Sequence, residues 1–155
     1  MSTMIIVSSA PREAGGMTAA AQSDAAGFPV REGERPWTDS EISQVRRRLA
    51  DETDELRTEI GKVESDIADR LGDSVSNAGD DQADVGAKTY EREHELSLTY
   101  NARDLLAQSE HALARIDAGS YGSCESCGRP IGKARLKAFP RATLCVDCKQ
   151  REERR

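Results

Sequence analysis

Aromatic bulk is what this chain lacks most. Its 155 residues hold one Trp, three Tyr and two Phe, 4% in all, beside 32% charged residues. A compact domain of this length usually buries more aromatic volume, so a large globular core is not expected. The composition suits one domain built from long helices, with disordered tails. Long apolar runs are missing too. No stretch approaches the roughly 20 residues of a membrane span. Met4-Ile5-Ile6-Val7 is shorter than the roughly 7–15 residues of a signal-peptide core. The expectation is a cytoplasmic protein without membrane contact. Alternating Val- or Ile-rich runs are absent, which excludes a sheet beyond a small ribbon, and there is no internal repeat. A Gly-rich phosphate loop, a nucleophile elbow and a catalytic His–carboxylate pairing are also missing, so an enzyme is not expected.

The charge that is present is unevenly spread. Residues 1–120 carry 24 acidic and 13 basic side chains, whereas residues 121–155 carry 4 acidic and 9 basic ones. The acidic majority argues against wrapping around DNA, since phosphate binding is driven by positive charge. The basic end suits nucleic acid or an acidic protein surface.

Residues 1–36 offer Ser8-Ser9-Ala10-Pro11, Gly15-Gly16 and Ala19-Ala20-Ala21 but no periodicity, and are read as a disordered tail. Order is expected to begin at Trp37. Thr38-Asp39-Ser40-Glu41 is a capping box, and Trp37 with Ile42 makes a hydrophobic staple. Ile42, Val45, Leu49, Leu56, Ile60, Val63 and Ile67 follow at heptad spacing, with a polar step near Glu52 and Thr53. The helix is expected to stop at Leu71-Gly72. A turn rich in Gly, Ser, Asn and Asp leads to a second helix from near Asp81, with a stripe of Ala87, Tyr90, His94, Leu98, Ala102, Leu105, Ala112 and Ile116 and a stop at Gly119. A short loop between long amphipathic helices makes them antiparallel. Residues 37–119 therefore read as a coiled-coil hairpin with its tip near residues 72–84.

Residues 120–155 carry the strongest motif. Cys124-Glu-Ser-Cys127 and Cys145-Val-Asp-Cys148 are two C-x2-C knuckles separated by 17 residues, and they use all 4 cysteines. That spacing fits a tetrahedral four-thiolate Zn²⁺ site, with no ligand position left for water, so the metal is structural. Two disulfides would need a secreted protein. A redox dithiol would need a βαβ setting. A short basic helix is expected from about Cys145 to Arg155. His94 and His111 are read as helix residues, not ligands.

Tyr121-Gly-Ser-Cys124-Glu-Ser-Cys127-Gly128, Ile131, Arg135-Leu136, Ala138, Pro140, Ala142 and Leu144-Cys145-Val-Asp-Cys148-Lys149 resemble the signature of the DksA/TraR zinc-finger family. The preceding hairpin extends the likeness over residues 37–155. The resemblance implies a mainly α fold and a regulator of transcription, including stress responses, that inserts its coiled coil into the secondary channel of RNA polymerase and reads no DNA sequence. It also implies that Asp81 and Asp84 are the acids that act at the tip, in Asp81-Gln-Ala-Asp84-Val-Gly86, where Gly86 stands in place of the family's alanine. The same two acids suit an ordinary helix start as well. Family positions that grip guanosine tetraphosphate fall on Asn101, Asp104 and Gln108. These are poor partners for a polyanion, so the alarmone is not expected as a cofactor, although Lys149 matches a family basic residue. A monomer is expected. Competing readings are a Gre-like transcript-cleavage factor, a nucleic-acid-binding zinc protein and a purely structural coiled coil.

Overall fold

The computed structural model describes residues 25–74 and 82–155. Two long helices dominate it: α1, Asp39–Ser74, and α2, Gln82–Ala118. Their 36 and 37 residues give each a length of about 55 Å at roughly 1.5 Å per residue. They pack antiparallel as a hairpin. Two short helices complete the chain, α3 at Lys133–Ala138 and α4 at Val146–Glu153. No strand is present among the described residues. The ribbon anticipated in the finger is reduced to a single antiparallel bridge between Ser123 and Pro130.

The start of α1 follows the capping box. The Glu41 amide donates to the Thr38 hydroxyl at 3.2 Å, and the Thr38 amide donates back to the Glu41 carboxylate at 3.1 Å. Trp37 and Ile42 are both buried in the same cluster, as the staple requires. The end of α1 lies beyond Leu71-Gly72. Gly72 is helical, and the cost of one exposed glycine, about 1 kcal/mol, does not stop a helix already 33 residues long at that point. At the far end of α2, Gly119 has φ +77°, and the amides of Ser120 and Tyr121 both donate to the Arg115 carbonyl. Glycine alone takes that left-handed turn without strain.

The stripe read for α2 is partly displaced. Ala102, Ala112 and Ile116 are buried, but Tyr90 and Leu98 are 73% and 50% exposed, and His94 is exposed as well. Thr99 and Ser109 face α1 instead. On α1 the polar step is a buried contact: Thr53 is buried, and its hydroxyl donates to the Leu49 carbonyl at 2.7 Å. Thr99 does the same toward Glu95 at 2.9 Å. Satisfying the hydroxyl within its own helix lets a small polar residue sit in the seam without an unpaired group. The register is marked on the outside by ion pairs from Arg57 to Glu110, Glu64 to Arg103 and Arg70 to Glu95. Each exposed pair is worth at most about 1 kcal/mol, but together they favour one alignment of the helices.

The core lies at the base of the hairpin. Ile42, Val45 and Leu49 of α1 and Ala112 and Ile116 of α2 meet Tyr121, Ile131 and Leu136 of the finger. Residues 25–36 depart from the disorder expected of them: Ala25 and Phe28 are buried in that cluster. Phe28 stands edge-on to Tyr121 with ring centres 6.5 Å apart, and Trp37 lies 6.3 Å from the same ring. This strap also crosses Gly122, where a side chain would meet the Pro29 carbonyl at 3.3 Å. The departure has a physical cause: few apolar residues were available, and Ala25 and Phe28 cover a face that the two helices cannot close alone. Residues 1–24, and most of the turn expected near residues 72–79, lie outside the described residues.

Glu41 ties α1 to α3. Its carboxylate accepts from Lys133 at 2.7 Å and Lys137 at 2.8 Å. Lys133, then Lys137, then the Thr38 amide hold its carboxyl well below the ordinary 4.5, at about 2. A carboxyl depressed on folding stabilises the fold above its unfolded pKa and loses that contribution as pH falls. Glu41→Gln is therefore expected to lower the urea midpoint at pH 7, with the gap to wild type closing between pH 4.5 and about 2. Leu49 is fully buried, and Leu49→Ala is expected to cost about 2–5 kcal/mol in equilibrium denaturation.

Candidate metal centre and hairpin tip

Each knuckle is shaped by its backbone. The Cys124 amide donates to the Arg129 carbonyl at 2.8 Å and the Gly128 amide to the Cys124 carbonyl at 2.9 Å, closing the first turn. Gly128 has φ +74° there. The second knuckle opens α4, with Cys145 as its N-cap and Cys148 in its first turn. A cross-link from the Glu125 amide to the Thr143 carbonyl at 2.8 Å brings the two knuckles together. All four sulfurs lie within 4.8 Å of one another, and Cys127 Sγ and Cys145 Sγ are 3.8 Å apart. A tetrahedron with metal–sulfur bonds of about 2.3 Å has edges of about 3.8 Å. The four residues named from the sequence thus converge on a geometry that fits one tetrahedral divalent ion.

The electrostatics of the sulfurs point the same way. Burial opposes the Cys124 thiolate, but the amides of Cys145, Cys127 and Ser126 outweigh it and hold the thiol at about 6. The Arg129 amide and side chain lower Cys127. At Cys145 the Cys148 amide favours the thiolate, yet burial and the neighbouring sulfurs push the thiol up to about 11. Four thiolates this close do not all ionise together without a cation between them.

The finger is pinned to the hairpin by contacts that the sequence did not reveal. Arg115 is largely buried and donates to the carbonyls of Ser120, at 2.9 Å, and Ser123. His111 bonds the Glu125 carboxylate across the same joint. This is a His–carboxylate contact that 14 residues of separation hid from the sequence. Tyr121 donates its hydroxyl to the Pro140 carbonyl at 2.9 Å, and burial raises its pKa strongly. Arg48 reaches the Lys137 carbonyl at 2.9 Å, and Arg141 pairs with Glu52 at 3.1 Å. A capping-box Glu, an Arg one turn before a helix stop and a buried-looking Tyr beside a Cys knuckle were the available signals.

At the other end of the hairpin, Asp84 lies exposed in the first turn of α2, and Asp81 lies outside the described residues. Gly86 is helical with open space where a Cβ would stand, so its departure from alanine answers to no steric demand within the chain. Asn101, Asp104 and Gln108 are exposed on α2. Lys149 pairs within α4 with Glu152 at 3.3 Å.

Stripping the metal with a chelator is expected to release one ion per chain. It should also shift Trp37 emission, because that ring packs on Tyr121 and under Lys133, while most far-UV helical signal stays. Unchanged emission after metal loss would show that the finger holds its shape without the ion.

Residues 119–154 match the prokaryotic dksA/traR C4-type zinc finger. Over a longer span, the RNA polymerase-binding transcription factor DksA of Escherichia coli K12 is 30% identical across 122 residues, covering 79% of this chain and 78% of that protein. DksA of Caulobacter vibrioides is 44% identical across 75 residues, 48% of this chain, and the chain spans about half the length of that relative, 53%. Among solved structures, transcription factor DksA2 of Pseudomonas aeruginosa superposes with a TM-score of 0.62 at 30% identity, over 75% of this chain and 85% of that one. With finger, hairpin and sequence in agreement over most of its length, the chain belongs to the DksA/TraR family.

Proposed function

We propose that this chain is a transcription regulator that binds RNA polymerase through its secondary channel and modulates initiation with its acidic hairpin tip. The observation that carries this reading is the shape and its end. A thin two-helix rod of about 55 Å rises from a base that holds nearly all the buried apolar residues, and its α2 opens with an exposed Asp84. Such a rod reaches into a narrow opening and delivers a carboxylate there. Relatives of this chain are named RNA polymerase-binding transcription factors, which supports the same partner. Asp81 and Asp84 are the proposed acting pair. The metal is zinc, held by Cys124, Cys127, Cys145 and Cys148, and its task is to fix the finger on the hairpin base. The proposed working form is a monomer in the cytoplasm, without an enzymatic step of its own, without sequence-specific DNA contact and without guanosine tetraphosphate.

The basic end favours this reading over a nucleic-acid-binding finger. Lys133 and Lys137 are paired with Glu41, and Arg141 with Glu52. Cations paired within the chain release no counterions from a phosphate backbone.

The test is core RNA polymerase binding together with promoter-complex lifetime, for wild type and Asp81→Asn/Asp84→Asn. Wild type is expected to bind and shorten lifetimes several-fold, while the double variant binds equally well without that effect. Failure of the wild type to bind polymerase would overturn the reading. Transcript shortening in stalled complexes that depends on Asp81 would replace it with Gre-like action.

A further inference from the structure

Two arginines lie beside the sulfur tetrahedron, one by each knuckle, and the polymerase-binding reading uses neither. Arg151 lies three residues after Cys148 on α4, and its Nη2 meets Cys148 Sγ at 3.1 Å. Its Nε donates to the Asp147 carbonyl at 3.4 Å. Arg129 lies two residues after Cys127, on the exposed side of the first knuckle. Its Nη2 also comes within 3.9 Å of the Asp147 carboxylate. Asp147, inside the second knuckle, therefore touches both arginines, and the two cations flank the centre from opposite knuckles.

The spacing explains the arrangement. Residues three apart on a helix share a face, so Arg151 overlies the Cys148 sulfur wherever α4 begins at Cys145. A divalent ion with four thiolates carries a formal charge of about −2, and two guanidiniums offset it. Hydrogen bonds from cations to thiolate sulfur are charge-assisted. They withdraw electron density from the atom that attacks electrophiles. Cys127 is exposed, whereas Cys124 and Cys148 are buried, so the sulfur most open to reagents is the one beside Arg129.

We infer that Arg129 and Arg151 are positioning residues of the metal centre, which neutralise the tetrathiolate and quiet the Cys127 and Cys148 sulfurs, so that the centre keeps its metal in the presence of thiol-reactive electrophiles. The inference needs the four-cysteine centre but not the polymerase partner. It goes beyond the structural role of the metal, because it gives the centre a graded chemical resistance set by two residues that are not ligands.

The experiment uses the full zinc-loaded chain as wild type, Arg129→Gln, Arg151→Gln, the double variant and Arg151→Lys. Zinc content is measured first, by native mass spectrometry. N-ethylmaleimide then drives zinc release, followed by the colour of the zinc–pyridylazoresorcinol complex. Each Gln variant is expected to release zinc a few-fold faster and the double variant about 10-fold faster, the lower end of what removing an outer partner of a metal ligand does. Arg151→Lys is expected to fall between wild type and Arg151→Gln. In cobalt-loaded protein, the sulfur-to-metal charge-transfer band should move to longer wavelength in the Gln variants, which a merely structural role would not produce. Helical signal and thermal midpoint establish that each variant is folded. Folded variants with wild-type release rates and an unchanged cobalt spectrum would overturn the inference. A wild-type chain without zinc would overturn it together with the metal centre itself, while leaving polymerase binding to be judged by its own assay.

Discussion

Tyr121 packs where every part of the described molecule meets, and the rest depends on that contact. Its ring touches Phe28 of the strap and Trp37 at the start of α1. It shares the core cluster with Leu49, Ile116, Ile131 and Leu136, and its hydroxyl bonds the Pro140 carbonyl in the finger. A buried phenol needs such a partner to offset the loss of water. One side chain thus joins the hairpin base, the finger and the N-terminal strap. With six aromatic residues in the chain, placing three of them at one junction leaves the distal hairpin to aliphatic residues such as Ile60 and Val63, small residues and surface ion pairs.

Charge completes the joint. The finger is basic and the hairpin acidic, and the structure uses that contrast internally. Glu41 takes two lysines of α3 and Glu52 takes Arg141, while Glu125 of the finger meets His111 and Arg115 of the hairpin in the opposite sense. Part of a charge asymmetry that looked like an invitation to nucleic acid thus joins two segments of one chain. Lys133 also lies 5.0 Å from the centre of the Trp37 ring, adding a cation–π contact to the ion pair.

What the sequence made legible was local. The capping box, the staple, the Gly119 stop and the two knuckles each need only neighbouring residues, and each is present. Long-range choices were less readable. The α2 stripe was drawn through Tyr90, His94 and Leu98 because they are large, yet the seam takes Thr99 and Ser109. Small residues let two helices approach closely, and a size-weighted reading passes over them. The strap was missed because Ala25 and Phe28 have no periodic neighbours, and their burial exists only once the finger has folded against the hairpin. α3 was missed because six residues are too few for a periodic signal. Asp81 and Asp84 came from the family likeness, since a helix start explains such acids equally well.

The joint at Tyr121 and Arg115 also acts as a fulcrum. The rod above it is about 55 Å long, so a tilt of about 10° at the base sweeps the far end through about 10 Å. A single methylene gained or lost in the clamp between finger and hairpin is therefore magnified several times over at the first turn of α2. Aim, not reach, is the quantity that the base controls, and residues farthest from the start of α2 have the greatest leverage over where the Asp84 carboxylate comes to rest.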